Sequence, residues 1–65
     1  MKIKNKYNKT ITLDPFTYEY HYVDGFTLRT YDEYGFTYKM RYIGYPKSTA
    51  RKLFKEYLQK LFNNS

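Results

Sequence analysis

The sequence predicts an α+β domain: a three-stranded antiparallel β-meander packed on one C-terminal helix. Three observations predict it. Apolar and polar residues alternate strictly in three consecutive segments, which is the period of a half-buried strand. The period then changes to a helical one at Ala50, Leu53, Phe54, Tyr57, Leu58, Leu61 and Phe62. Glycines punctuate the segments where tight turns need them, at Gly25 and Gly35.

The first nine residues are polar and basic, with Lys2, Lys4, Lys6 and Lys9. They read as a basic N-terminal arm, frayed or weakly paired. Residues 10–65 read as a single β-β-β-α domain. Within it, residues 10–13 suit an extra short strand ahead of the meander. Asp14-Pro15 then signals a turn, because Pro15 has no amide hydrogen for a ladder.

The first full strand covers residues 16–22. Phe16, Tyr18, Tyr20 and Tyr22 take one face, and Thr17, Glu19 and His21 the other. The second pairs Phe26, Leu28 and Thr30 against Thr27, Arg29 and Tyr31. The third sets Phe36, Tyr38, Met40 and Tyr42 against Thr37, Lys39 and Arg41. A two-residue loop at Asp24-Gly25 would split the apolar set between two faces. A three-residue loop, Val23-Asp24-Gly25, keeps it whole and gives glycine the left-handed position. It pairs Tyr22 with Phe26, Tyr20 with Leu28 and Tyr18 with Thr30. The loop Glu33-Tyr34-Gly35 likewise pairs Asp32 with Phe36, Thr30 with Tyr38, Leu28 with Met40 and Phe26 with Tyr42.

The helix is expected from residue 47 or 48 to 62, with Ser48 as N-cap and Pro46 marking the boundary. Arg51 near the start opposes the helix dipole.

Sixty-five residues without cysteine have no disulfide and no thiolate zinc site to staple them. A chain this short buries only about 60% of its unfolded surface. The ten tyrosines and five phenylalanines must compensate, each ring burying about 150–250 Å². No apolar run approaches the ~20 residues of a membrane span, and no secretory leader is evident, so the cytoplasm is the default location.

Little points to catalysis. His21 is the one histidine, it falls on the polar face, and no carboxylate on its expected row orients it. No GxGxxG, P-loop, EF-hand or His/Cys cluster occurs, so neither a cofactor nor a metal is expected and the chain reads as a non-enzyme. The net charge of +6, from twelve Lys and Arg against six Asp and Glu, favours a polyanionic partner.

One helix covers one face of a sheet. The uncovered face is therefore the candidate site. In the expected register Glu19, Arg29 and Lys39 form one row, His21, Thr27 and Arg41 the next, and Thr17, Tyr31 and Thr37 the third. Arginine can grip guanine with two donors, threonine meets phosphate or a thymine methyl, and lysine neutralises phosphate. The candidate contacts are Arg29, Lys39, Arg41, Thr27, Thr37 and Tyr31 on the sheet, with Lys2, Lys4, Lys6 and Lys9 on the arm. Glu19 and Arg29 are also expected as a cross-strand ion pair.

Residues 36–62, with Tyr42-Ile43-Gly44-Tyr45 leading to Ser48-Thr49-Ala50 and a striped helix, resemble the last strand, glycine turn and helix of AP2-like domains. The same plan occurs in the arm-type DNA-binding domains of phage and transposon integrases. Thr49 stands where those families usually carry an acid, and the chain has no tryptophan. The resemblance implies that the exposed sheet enters a major groove, with Arg29, Lys39 and Arg41 as contacts. It fits a small non-enzymatic nucleic-acid-binding module, regulatory or from a mobile element, with duplex DNA as partner. The alternative is a protein-binding regulator or accessory subunit. It would act through the edge of residues 10–13 or 36–42, or through a homodimer seam at Tyr57 and Phe62.

Overall fold

The computed structural model describes residues 1–21 and 25–64. In chain order it holds β1 (Lys2–Lys4), β2 (Thr10–Thr12), β3 (Thr17–Tyr20), β4 (Phe26–Tyr31), β5 (Thr37–Tyr42) and α1 (Lys47–Asn63). Strands β3, β4 and β5 form the antiparallel meander, with β4 in the middle. Strands β1 and β2 form a second, two-stranded sheet.

The segment read as an arm, frayed or weakly paired, enters a hairpin. Lys2, Ile3 and Lys4 oppose Thr12, Ile11 and Thr10. Its turn is built by asparagines. Asn5 Oδ1 accepts the amides of Tyr7 and Lys9 at 2.9 and 3.0 Å, and Asn8 adopts a φ of 63°, which asparagine tolerates. Pairing is favoured because it buries Ile3 in the core. Gln59 Nε2 on α1 also donates to the Lys4 carbonyl at 2.6 Å. The hairpin joins the meander at Leu13, which bridges Asp32. There the Asp14 amide donates to the Tyr31 carbonyl at 2.9 Å. The buried Thr30 hydroxyl donates to the Asp14 carbonyl at 2.7 Å. Pro15 occupies the gap between β2 and β3, where no ladder hydrogen is needed.

The β4–β5 register is the expected one: Phe26 faces Tyr42, Leu28 faces Met40 and Thr30 faces Tyr38. Gly35 takes a φ of 86°. Asp32 organises the turn. Its Oδ1 accepts the amides of Tyr34 and Phe36 at 2.9 and 3.0 Å, and its Oδ2 accepts the Tyr38 hydroxyl at 2.9 Å. Burial pushes this carboxyl up, but the Tyr38 hydroxyl and the amides of Phe36, Tyr34 and Gly35 outweigh it. It therefore titrates below its ordinary 3.8. Burial, and then the bond to Asp32, push the Tyr38 phenol up to about 12. A lowered folded value means Asp32 stabilises the fold above that ordinary value, and that this is lost as pH falls through the folded value. Thermal unfolding between about pH 2 and 5 should show the midpoint of the wild type falling more steeply with acid than that of Asp32→Asn. Parallel curves would remove Asp32 from the acid response.

The β3–β4 register differs from expectation by two residues. Tyr20 pairs with Phe26 and Tyr18 with Leu28, in place of Leu28 and Thr30. The expected Tyr22–Phe26 pair and the Val23-Asp24-Gly25 loop involve Tyr22, Val23 and Asp24, which lie outside the described residues. A two-residue shift leaves every side chain on its original face, so alternation cannot detect it. Gly25 has the anticipated positive φ, 85°, while its carbonyl accepts the His21 amide at 3.2 Å. A Cβ at Gly25 would collide with the Tyr42 carbonyl oxygen and crowd Ile43. Gly25→Ala should therefore cost at least about 1 kcal/mol, from left-handed strain plus that collision. Chemical denaturation against Gly35→Ala, where a Cβ meets nothing within 4 Å, separates the two causes.

Helix α1 begins after Pro46, the N-cap, which has no side-chain capping bond. Ser48, the expected cap, lies inside the first turn. Ala50, Phe54, Leu58 and Phe62 form its buried stripe. They pack with Ile3, Leu13, Phe26, Leu28 and Tyr42 into one core. Phe62 is therefore not a spare dimer contact. Tyr57 and Leu61 flank the stripe and stay partly exposed. Tyr20 and Phe36 were expected on the buried face, yet they are 61% and 66% exposed. They stand at opposite ends of the meander, and Lys47 at the start of α1 reaches over the Tyr20 ring without burying it.

Candidate nucleic-acid interface

The face of β3, β4 and β5 opposite α1 collects the polar half of each alternation. Observed rows are Thr17–Arg29–Lys39 and Glu19–Thr27–Arg41, with Tyr31 beside Thr37. The expected rows had Glu19 beside Arg29, His21 beside Thr27 and Thr17 beside Tyr31. The two-residue shift moves each β3 residue by one row and leaves the β4–β5 pairs untouched. Side-chain length restores two of the lost neighbours along diagonals. Arg29 Nη2 reaches Glu19 Oε2 at 2.8 Å. His21 Nε2 and Thr27 Oγ1 share a hydrogen bond of 2.6 Å.

Together Glu19, His21, Thr27, Arg29, Lys39 and Arg41 line a hollow of about 400 Å³. Thr27 is buried at its base, Arg29 is half-buried, and Lys39 and Arg41 are exposed. Tyr31 and Thr37 lie exposed farther along the face. The Glu19–Arg29 pair has side chains 56% and 35% exposed, and such a surface pair contributes little, about 0–1 kcal/mol. Arg29 Nε is the one buried side-chain nitrogen or oxygen among the described residues without a hydrogen-bond partner. A buried donor left in that state costs about 1–3 kcal/mol.

No protein-family model, curated protein or solved structure matches this chain. Its function must be argued from its geometry.

Positive charge is not confined to the sheet face. Arg29, Lys39 and Arg41 stand there. Lys2, Lys4, Lys6 and Lys9 stand on the hairpin segment, and Lys47, Arg51, Lys52, Lys55 and Lys60 on α1. Lys2 and Lys4 flank the buried Ile3 and are exposed, so they point away from the core. Lys6 lies over the Tyr7 ring at 5.2 Å, and Lys47 over Tyr20 at 5.0 Å. The structure thus brings Thr27, Arg29, Lys39 and Arg41 into one hollow and leaves the four N-terminal lysines on a separate hairpin. Glu19 and His21, expected on this face but not among the candidate contacts, also line the hollow. Their signal was their place on the same alternating face as Arg29.

Among the described residues no helix is long and apolar enough to cross a membrane. No three His, Asp or Glu side chains among them gather as metal ligands would.

Proposed function

We propose that this protein is a small non-enzymatic nucleic-acid-binding module that lays its uncovered sheet face against duplex DNA. One observation carries the proposal. The face that α1 leaves open sets Arg29, Lys39 and Arg41 around a hollow, and among the described residues Glu19 is the one acid lining it. Arg29 and Arg41 would meet base edges or phosphates, Lys39 a phosphate, and Thr27, Thr37 and Tyr31 the groove walls. Lys2, Lys4, Lys6 and Lys9 would add sequence-independent phosphate contacts. A three-stranded sheet with one covering helix is also the plan of AP2-like and integrase arm-type domains, whose exposed sheet enters the major groove, and the proposal extends that likeness to this chain. As such a module it would act in the cytoplasm, without cofactor, in a regulatory or mobile-element setting.

The test is a salt titration on random double-stranded and single-stranded DNA. Binding to the duplex should fall with a log–log slope of about −0.9 for each phosphate contacted. No detectable binding at ~50 mM salt, which favours phosphate contacts, removes the proposal.

A protein-binding role is favoured by a different place. A second hollow of about 360 Å³ is lined by Thr10, Ile11, Tyr34, Phe36, Tyr38 and Phe62 among others. Tyr34 and Phe36 are 76% and 66% exposed there. Asn5–Lys9 and Met1–Leu13 are bonded to each other, so by antiparallel parity the peptide groups of Thr10 and Thr12 point away from β1. An added strand would fit that edge. Pull-down or binding that survives loss of Arg29 and Arg41 would favour this role over DNA.

A further inference from the structure

Arg29 has an unused donor. Nε and Nη2 are neighbours on one edge of a guanidinium, and that edge matches two oxygens of an oxyanion. Glu19 Oε2 occupies Nη2 at 2.8 Å, while Nε is buried without a partner. The edge is therefore half satisfied. Lys39, Arg41 and the hydrogen-bonded pair His21–Thr27 line the same hollow.

We infer that this hollow is a subsite for one phosphate group, and that Glu19 guards it. In the free protein the carboxylate holds the Arg29 edge, and a phosphate displaces it on binding. The inference rests on the nucleic-acid proposal for the source of that phosphate, a backbone phosphodiester. Glu19 is suited to yielding. Its side chain is 56% exposed, so it swings into water with little loss. A phosphate offers enough oxygens for Nε and Nη2 together and for Arg41 or Lys39, whereas Glu19 reaches one donor. The guard has a use. It weakens capture of any passing anion and leaves an advantage to ligands that also fill the rest of the face.

The experiment uses the full chain and four proteins: wild type, Glu19→Gln, Glu56→Gln and Arg29→Lys. Duplex binding is measured against salt. Inorganic phosphate is titrated while the backbone resonances of Glu19, Thr27 and Arg29 are followed. Vesicles of anionic lipid form a third arm, and thermal unfolding confirms that each variant is folded. Glu19→Gln should bind duplex about three- to tenfold tighter than wild type. Glu56→Gln makes the same charge change on α1 and should stay within about twofold. Arg29→Lys keeps the charge without the two-donor edge and should bind more weakly than wild type. Phosphate should shift the three resonances at lower concentration in Glu19→Gln. An equal gain from Glu56→Gln would assign the effect to net charge and overturn the guard. Equal duplex affinity of wild type and Glu19→Gln, or an Arg29→Lys variant as tight as wild type, would overturn it too. Should duplex binding be absent while phosphate still shifts those resonances, the subsite stands and the nucleic-acid proposal falls. The vesicle arm then separates a lipid head group from free phosphate. Silence in every arm overturns both.

Discussion

Phe54→Ala should leave the chain largely unfolded at 37 °C. Phe54 has no exposed surface, and its ring sits 4.9 Å from Phe16, 6.2 Å from Tyr57 and 6.4 Å from Tyr42. It is the side chain around which the helix and the sheet close. Truncating a buried phenylalanine costs about 3–5 kcal/mol. A 65-residue domain holds only about 3–10 kcal/mol in total, at 0.05–0.15 kcal/mol per residue. The loss is therefore comparable to the whole stability, and with no cysteine in the chain no disulfide compensates. Circular dichroism with urea denaturation checks it. Leu61→Ala is the control, since Leu61 is 38% exposed on the flank of the same helix and should cost about 0.5 kcal/mol or less. Similar midpoints for the two variants would mean that the core is not centred on Phe54.

The second large effect is on binding. Arg29→Ala with Arg41→Ala should remove sequence preference on duplex DNA, through loss of Arg41 at a base edge, and flatten the salt slope by about one, through loss of Arg29 at a phosphate. Arg41 gripping a base edge discriminates by about 1–3 kcal/mol, roughly tenfold or more in affinity for a preferred site. The fold should survive. Arg41 is exposed, and losing Arg29 releases Glu19 into water at the cost of a weak surface pair. Competition binding with specific and random duplexes, beside a thermal melt, reads both quantities. A folded double variant that binds like wild type would move the interface away from the sheet.

Much of this architecture was legible because period and turn chemistry agreed. On the β4–β5 side, Asp32, Gly35 and two unbroken alternations all specify one register, and that register is observed. On the β3–β4 side fewer residues constrain the register. Requiring one apolar face excludes slips of one residue but not of two. A period of two cannot choose between them, because both put the same side chains on the same face. The hairpin was hidden by composition. Four lysines suggested an arm, frayed or weakly paired, and although residues 10–13 read as a short strand, the Lys-Ile-Lys alternation and the asparagine turn were too short to mark its partner. Its pairing depends on burying Ile3 in the core, a distant partner. At the candidate site, membership of the face followed from alternation alone. The neighbours within it did not, because they depend on the register. The Glu19–Arg29 pair survived the shift only because arginine is long enough to cross a diagonal.

The order of elements has a consequence for how the protein is made. Helix α1 follows every strand in the chain and supplies Ala50, Phe54, Leu58 and Phe62 to the core. A ribosome adding about 5–20 residues per second takes roughly one to three seconds to deliver seventeen residues. During that interval the aromatic side of the sheet has no lid, and β5 offers a bare edge. Neighbouring nascent chains would find Lys39 and Arg41 along that edge. Like charges there discourage strand pairing. The same two cations proposed to meet a phosphate in the finished molecule would thus also guard the unfinished one against its siblings.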